Sequence, residues 1–185
     1  MQIREQKRIL RQQIREVKGH QTKENLSYWS SKLLNEIETV AAFKEAATVL
    51  LYYSLADEVE TGEFIKKWCN EKCILLPVIS GNELVLKKYI GEEKISFQNN
   101  FSIKEPIGEE FNDFDKIDLA IIPGMAFDRE LNRLGRGKGF YDKLLPKIKA
   151  PKIGICFSFQ IVDKIPTEEF DLAMDEVWTE NGKLR

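Results

Sequence analysis

Apolar residues recur among charged neighbours over residues 2–18, at Ile3, Leu10, Ile14 and Val17, and this spacing predicts a helix with one inward face. Gly19 is a natural stop. Thr22 predicts the start of a second helix, with Leu26, Trp29, Leu33, Leu34 and Ile37 turned inward. The pattern then shortens. Ala47–Tyr53, Cys73–Ile79, Ile117–Ile122, Lys152–Phe157 and Glu176–Thr179 are nearly continuous apolar runs of strand length. Thr61 is placed to cap a helix carrying Phe64, Ile65 and Trp68, and Gly81-Asn82 makes a turn before Leu84–Leu86. Residues 91–116 are irregular and polar, with Pro106 and Gly108, as a substrate-covering loop would be. Helices alternating with short apolar strands predict an α/β fold: a single-domain three-layer sandwich with a largely parallel sheet. Ligands of such sheets bind beyond the carboxyl ends of the strands. Tyr53–Glu60, Pro123–Asp142 and Phe157–Gln160 follow strands and should converge there.

Pro123–Asp142 changes the picture most. Between an apolar strand and a helix start at Tyr141–Leu145, Gly135, Gly137 and Gly139 alternate with Arg136 and Lys138. Such a backbone can turn several N–H groups one way, and a helix start adds partial positive charge. Arg133, Arg136, Lys138 and Lys143 add full charges, a combination suited to a polyphosphate. Neither a Walker loop nor a dinucleotide fingerprint fits: Lys138 is followed by Gly139, and the glycine spacing is wrong. The plainer alternative is a surface loop with capping glycines.

Composition narrows the options. With 185 residues, 43% hydrophobic and 31% charged, the chain suits one globular domain. The net charge of −2 gives no global pull toward nucleic acid. No apolar run reaches bilayer length, and the charged N-terminus lacks an apolar signal core, so a cytoplasmic protein is expected. A monomer acting on small molecules is a separate expectation that hydropathy does not carry. Cys69, Cys73 and Cys156 form no CxxC pair and suit small buried hydrophobes. His20 is the single histidine, which weakens any His-based triad or metal site.

Further charges are placed suggestively. Lys7 and Arg11 share a helix face, near Arg4 and Arg8, which suits either a solvated face or a second phosphate contact. In Asp57-Glu58-Val59-Glu60-Thr61, capping accounts for Asp57 and Glu60, whereas Glu58 at a strand end could accept two N–H groups of a ligand. Asp142 and Asp171 are carboxylates of the kind that share Mg²⁺ with triphosphate oxygens, although Asp171 by itself reads as an ordinary surface acid.

Taken together, Arg133-Leu-Gly-Arg-Gly-Lys-Gly-Phe-Tyr-Asp142, Lys7-x-x-x-Arg11 and Asp57–Thr61 resemble the 5-formyltetrahydrofolate cyclo-ligase (5,10-methenyltetrahydrofolate synthetase) family over nearly the whole chain. The resemblance implies ATP-dependent, Mg²⁺-requiring closure of 5-formyltetrahydrofolate to 5,10-methenyltetrahydrofolate, on a fold related to sugar-phosphate isomerases and CoA transferases. It implies ATP binding by Lys7, Arg8, Ile9, Leu10 and Arg11, and by Arg133, Leu134, Gly135, Arg136, Gly137, Lys138, Gly139, Phe140 and Tyr141. It implies folate contacts from Arg11, Tyr53, Glu58 and residues Arg136 to Phe140, with Phe101 flanking, and Mg²⁺ on Asp142 and Asp171. Arg136 and Lys138, beside the expected γ-phosphate, are the candidate catalytic residues. Two positions depart from the family pattern. Leu131 stands where glycine is common in a turn that would need φ > 0, and Tyr53 stands where smaller apolar residues are usual. Another ATP-dependent kinase or ligase, a noncatalytic binding paralogue and an RNA-binding module are the rival classes.

Overall fold

The computed structural model describes residues 2–96 and 105–184. Phe101 lies outside the described residues. The helices are α1 (Ile3–Gly19), α2 (Lys23–Thr39), α3 (Ala41–Glu45), α4 (Gly62–Trp68) and α5 (Phe140–Leu144). The strands are β1 (Thr48–Leu50), β2 (Cys73–Ser80), β3 (Glu83–Lys88), β4 (Ile95–Ser96), β5 (Glu105–Pro106), β6 (Glu110–Phe111), β7 (Leu119–Pro123), β8 (Ala126–Asp128), β9 (Arg133–Leu134), β10 (Lys152–Ile155), β11 (Ile161–Val162), β12 (Glu176–Thr179) and β13 (Gly182–Lys183).

The main sheet runs β13-β12-β10-β7-β1-β2-β3-β6. Its centre, β12-β10-β7-β1-β2, is parallel, and the outer pairs β12–β13, β2–β3 and β3–β6 are antiparallel. Two-residue alternation explains the layers. Val49, Leu51, Ile74, Leu76, Leu119 and Ile121 pack on one face with Leu33, Ile37, Phe43 and Phe64 from α2, α3 and α4. Leu50, Leu75, Ala120 and Ile122 pack on the other with Phe127, Leu144 and Ile148. The expected three-layer sandwich with a largely parallel sheet is therefore what forms. A second sheet, β11-β8-β9, packs with Ile14 and Leu10 of α1 in a separate cluster.

Thr22 caps α2 as expected, its hydroxyl accepting the Asn25 N–H. Thr61 makes no such cap. Its hydroxyl donates to the Tyr52 carbonyl and accepts the Ser54 N–H, pinning the loop after β1. The largest departure is α1. Ile3 and Val17 are exposed, while the buried residues of this helix are Lys7, Ile14 and Lys18. Charge, more than an apolar stripe, docks this helix.

Candidate active site

Tyr53–Glu60, Pro123–Asp142 and Phe157–Gln160 do converge at the carboxyl ends of β1, β7 and β10. A narrow crevice there is lined by Tyr52, Glu58 and Val59, by Pro123 and Gly124, and by Ile155, Cys156 and Gln160. Gln160 ties two of the segments together, donating to the carbonyls of Gly124 and Met125 at 3.0 and 2.9 Å.

The glycine-rich loop begins in a buried hub. Asp128, fully buried, accepts the backbone N–H groups of Glu130, Asn132 and Ile165 and the Asn132 amide at 2.9–3.1 Å. Within this turn Leu131 has φ 63°, the left-handed conformation anticipated from the glycine common at this position. Gly137 and Gly139 also have positive φ, at 98° and 70°. A Cβ on Gly137 would stand 3.3 Å from the Arg11 guanidinium carbon, so the loop and α1 approach closely there. Gly139 precedes α5, which is only five residues long. So short a helix adds little dipole, which leaves the side-chain cations and the loop N–H groups as the positive features of this segment.

The charged side chains are paired across the site. Lys7, 8% exposed, reaches Asp171 at 2.5 Å and Glu168 at 3.1 Å; it is not the exposed residue expected of a solvated face. Arg11 Nε donates to the Gly135 carbonyl at 2.8 Å. Burial lowers the Arg11 pKa, Arg15 and Arg133 reinforce this, and Asp142 and Asp171 pull it up. Asp142 and Asp171 thus both bear on one guanidinium. Arg133 is almost buried, stacked on the Tyr141 ring and bonded to Asp142 at 2.7 Å. Burial pushes the Tyr141 hydroxyl far up, helped by Glu58. Arg136 bridges Glu58 Oε1, from Nη2 at 2.9 Å and Nε at 3.1 Å, and Asp57 Oδ1, from Nη2 at 2.6 Å. Burial opposes the Arg136 charge, but Glu58 and Asp57 outweigh it and raise its pKa. Lys138 is exposed and forms no hydrogen bond or ion pair among the described residues.

Other expected residues sit at the margin. Arg8 lies on the solvent side of α1 in an ion pair with Glu5 at 2.7 Å. Lys143 points away, its ammonium donating to the Asn82 carbonyl at 2.9 Å, so it leaves the cation cluster. Ile9 and Leu10 join Gln6, Gln13, Lys164 and Pro166 around an open groove of about 430 Å³ on the flank of α1. Phe140 packs against the core. Leu134 is buried with Met125 and Ile165 and supports the loop from beneath. Tyr53, half-buried, faces Gly62 at the start of α4.

Lys18 was missed in the sequence. Its ammonium bonds the Asp57 carbonyl at 2.7 Å and the Asp57 carboxylate at 3.2 Å. The signal was present: Lys7, Arg11, Ile14 and Lys18 follow i, i+4, i+7, i+11, one stripe of a helix. That stripe meets the 168–171 segment, the glycine-rich loop and the Asp57 turn in order.

A family-wide sequence description, the 5-formyltetrahydrofolate cyclo-ligase family, matches residues 3–180. The chain is 28% identical to the 5-formyltetrahydrofolate cyclo-ligase of Haemophilus influenzae over 185 residues, covering 95% of each chain. It is 33% identical to that of Escherichia coli K12 over 144 residues, covering 72% of this chain and 78% of the relative. The solved 5,10-methenyltetrahydrofolate synthetase of Aquifex aeolicus superposes with a TM-score of 0.87 at 32% identity, covering 97% of this chain and 92% of that one. The chain belongs to the 5-formyltetrahydrofolate cyclo-ligase family.

Proposed function

We infer that this chain catalyses the reaction of its family, the ATP-dependent cyclisation of 5-formyltetrahydrofolate to 5,10-methenyltetrahydrofolate, at the crevice and charged rim described above. The single observation that carries the placement is α1. One face of it brings Lys7 to Asp171, Arg11 to the glycine-rich loop and Lys18 to the Asp57–Glu58 turn.

ATP lies along α1, its nucleoside in the groove beside Ile9 and Leu10 and its phosphates against Lys7, Arg11 and the loop from Arg133 to Tyr141. The reduced folate enters against Tyr53, Arg11, Arg136 to Phe140 and Glu58, the last taking pterin N–H groups on its carboxylate. Asp142 and Asp171 are all-oxygen donors bearing on the same guanidinium, a donor set that fits Mg²⁺. Among the described residues no three His, Cys, Asp or Glu side chains form a ready-made cage. The ion would therefore share these two carboxylates with phosphate oxygens and water, and when bound it supplies charge neutralisation on the triphosphate. A cytoplasmic monomer acting on small molecules fits this reading.

The chemistry asks for position and charge. A formyl oxygen is a poor leaving group until phosphorylated. That oxygen attacks the γ-phosphorus, the bond to ADP breaks, and the carbon becomes an iminium-type electrophile. The N10 lone pair attacks it, N10 loses its proton, and the C–O electron pair departs with phosphate. Arg136 and Lys138 stabilise charge spread over the transferring group, and the folate contacts keep the formyl oxygen in line. Such alignment removes up to ~7–11 kcal/mol of barrier in ideal cases. No covalent nucleophile is required. The cysteine nearest the crevice, Cys156, is buried, and burial pushes its thiol far up.

The direct check is methenyltetrahydrofolate absorbance with 5-formyltetrahydrofolate, ATP and Mg²⁺ together. Omission of any one should abolish it. Absorbance that develops without ATP would contradict the assignment.

A further inference from the structure

We propose that Lys18 and Asp57 form a positioning pair that holds Arg136 in place when Glu58 turns from it to the reduced folate. The proposal rests on Glu58 as the carboxylate that receives the pterin.

Both Glu58 oxygens are committed to partners within the chain. Oε1 accepts two N–H groups of Arg136, and Oε2 accepts the Leu55 backbone N–H at 3.1 Å. Oε2 keeps one acceptor site but Oε1 is filled, so a ligand that offers one N–H to each oxygen must displace a bond at Oε1. The backbone bond belongs to the turn that presents Glu58, so the bonds from Arg136 are the ones to yield. The Arg136 side chain is 40% exposed, so losing its carboxylate would leave the guanidinium to water alone, without a fixed acceptor to hold it toward the site. Asp57 removes that difficulty, because its Oδ1 already holds the same Nη2 at 2.6 Å. Arg136 can release Glu58 without losing its last counter-charge.

Asp57 can act this way only if it is itself fixed, and Lys18 fixes it twice. The Lys18 ammonium bonds both the main-chain oxygen and Oδ2 of Asp57, and the Lys18 side chain is only 6% exposed. Burial lowers the Lys18 pKa against the pull of Asp57. Burial also acts to raise the Asp57 pKa, but Lys18 and Arg136 overcome it and lower it, keeping the carboxylate ionised. The two oxygens of Asp57 are divided, one to the helix and one to the loop. Capture of folate by Glu58 then leaves Arg136 Nε free for a phosphate oxygen. Folate arrival and preparation of the phosphate site become one event.

The test is calorimetric binding of 5-formyltetrahydrofolate without ATP, with thermal melting as the control for folding. Asp57→Asn keeps the shape but turns an amide toward Arg136. It should weaken folate binding about fivefold, the scale of one partly exposed charge contact. In an Arg136→Ala background, where Glu58 is already released, the same substitution should have no further effect. Lys18→Met should reproduce Asp57→Asn, and Lys18→Arg should restore wild-type affinity. Should Lys18→Met not fold, the Asp57 and Arg136 cycle decides alone. Unchanged affinity in Asp57→Asn, or equal loss with and without Arg136, would overturn the proposal. Glu58→Gln separates the two levels. If it leaves folate affinity intact, the pterin assignment has failed; if it weakens binding while Asp57→Asn does not, only the positioning role has.

Discussion

Leu131 is the residue whose backbone contradicts its side chain. It holds φ 63° between Asp128, whose carbonyl accepts its N–H, and Met174, which donates to its carbonyl. The left-handed conformation costs an L-residue about 1–2 kcal/mol, and the turn's hydrogen bonds and the buried Asp128 hub hold it there. Leu131→Gly and Leu131→Ala both remove the isopropyl group and differ by the Cβ methyl, which is what makes positive φ costly. The usual order should therefore invert, with Gly more stable than Ala by about 1 kcal/mol in urea unfolding. An Ala variant at least as stable as Gly would refute the strain. Lys7 makes the second residue-scale case. It is buried against Asp171 and Glu168, so it should serve both folding and ATP binding. Lys7→Ala should cost about 1.5–3 kcal/mol of ATP binding, read by calorimetry, and should also lower the melting temperature. Intact ATP affinity with a lowered melting temperature would leave Lys7 a purely structural ion pair. At this scale the sequence was informative wherever a residue type is chemically unusual for its place. Arg136, Lys138 and Glu58 stood out, and so did Leu131. Lys18 did not, because a lysine in a basic helix looks solvated until its partner, 39 positions away in the chain, is known.

At the scale of elements, packing around Phe127 links the core to the site. The ring is fully buried between Gly124, just after β7, and Gly154 of β10. A Cβ on Gly154 would stand 2.5 Å from the Phe127 ring, and one on Gly124 would be equally close. Gly154→Ala should destabilise the fold by about 1–3 kcal/mol, the usual range for overpacking, measured by denaturant unfolding. Gly154→Ala in a Phe127→Leu background should cost less; equal costs would mean that the ring is not what the glycine accommodates. Elements with a strong period were legible in advance. Glu176–Thr179 has the predicted bounds, and the buried runs gave β1, β2, β7 and β10 with ends shifted by a few residues. The inward face of α1 was half legible: Leu10 and Ile14 pack inward as their spacing suggested, but Ile3 and Val17 are exposed, and Lys7 and Lys18 are buried by ion pairs to distant segments.

Across the whole molecule, the site is a set of charges that satisfy one another. Lys7 rests on Asp171, Arg133 on Asp142 and Arg136 on Glu58, so groups assigned to ATP neutralise groups assigned to metal or folate. Substrates would exchange these partners, and buried charges would never be left bare. The sheet makes this possible by bringing segments from positions 57, 124, 136 and 160 to one edge, a convergence that strand order alone determines. That order was not readable from periodicity, although the rule for parallel sheets gave the edge at which these segments meet. In the proposed reaction these charges direct a phosphoryl group onto the substrate itself, with no covalent enzyme intermediate. With ¹⁸O in the formyl group, one turnover should place the label in inorganic phosphate, and Arg136→Ala or Lys138→Ala should slow its single-turnover appearance. Label released into water, with none in phosphate, would contradict direct phosphorylation of the formyl oxygen.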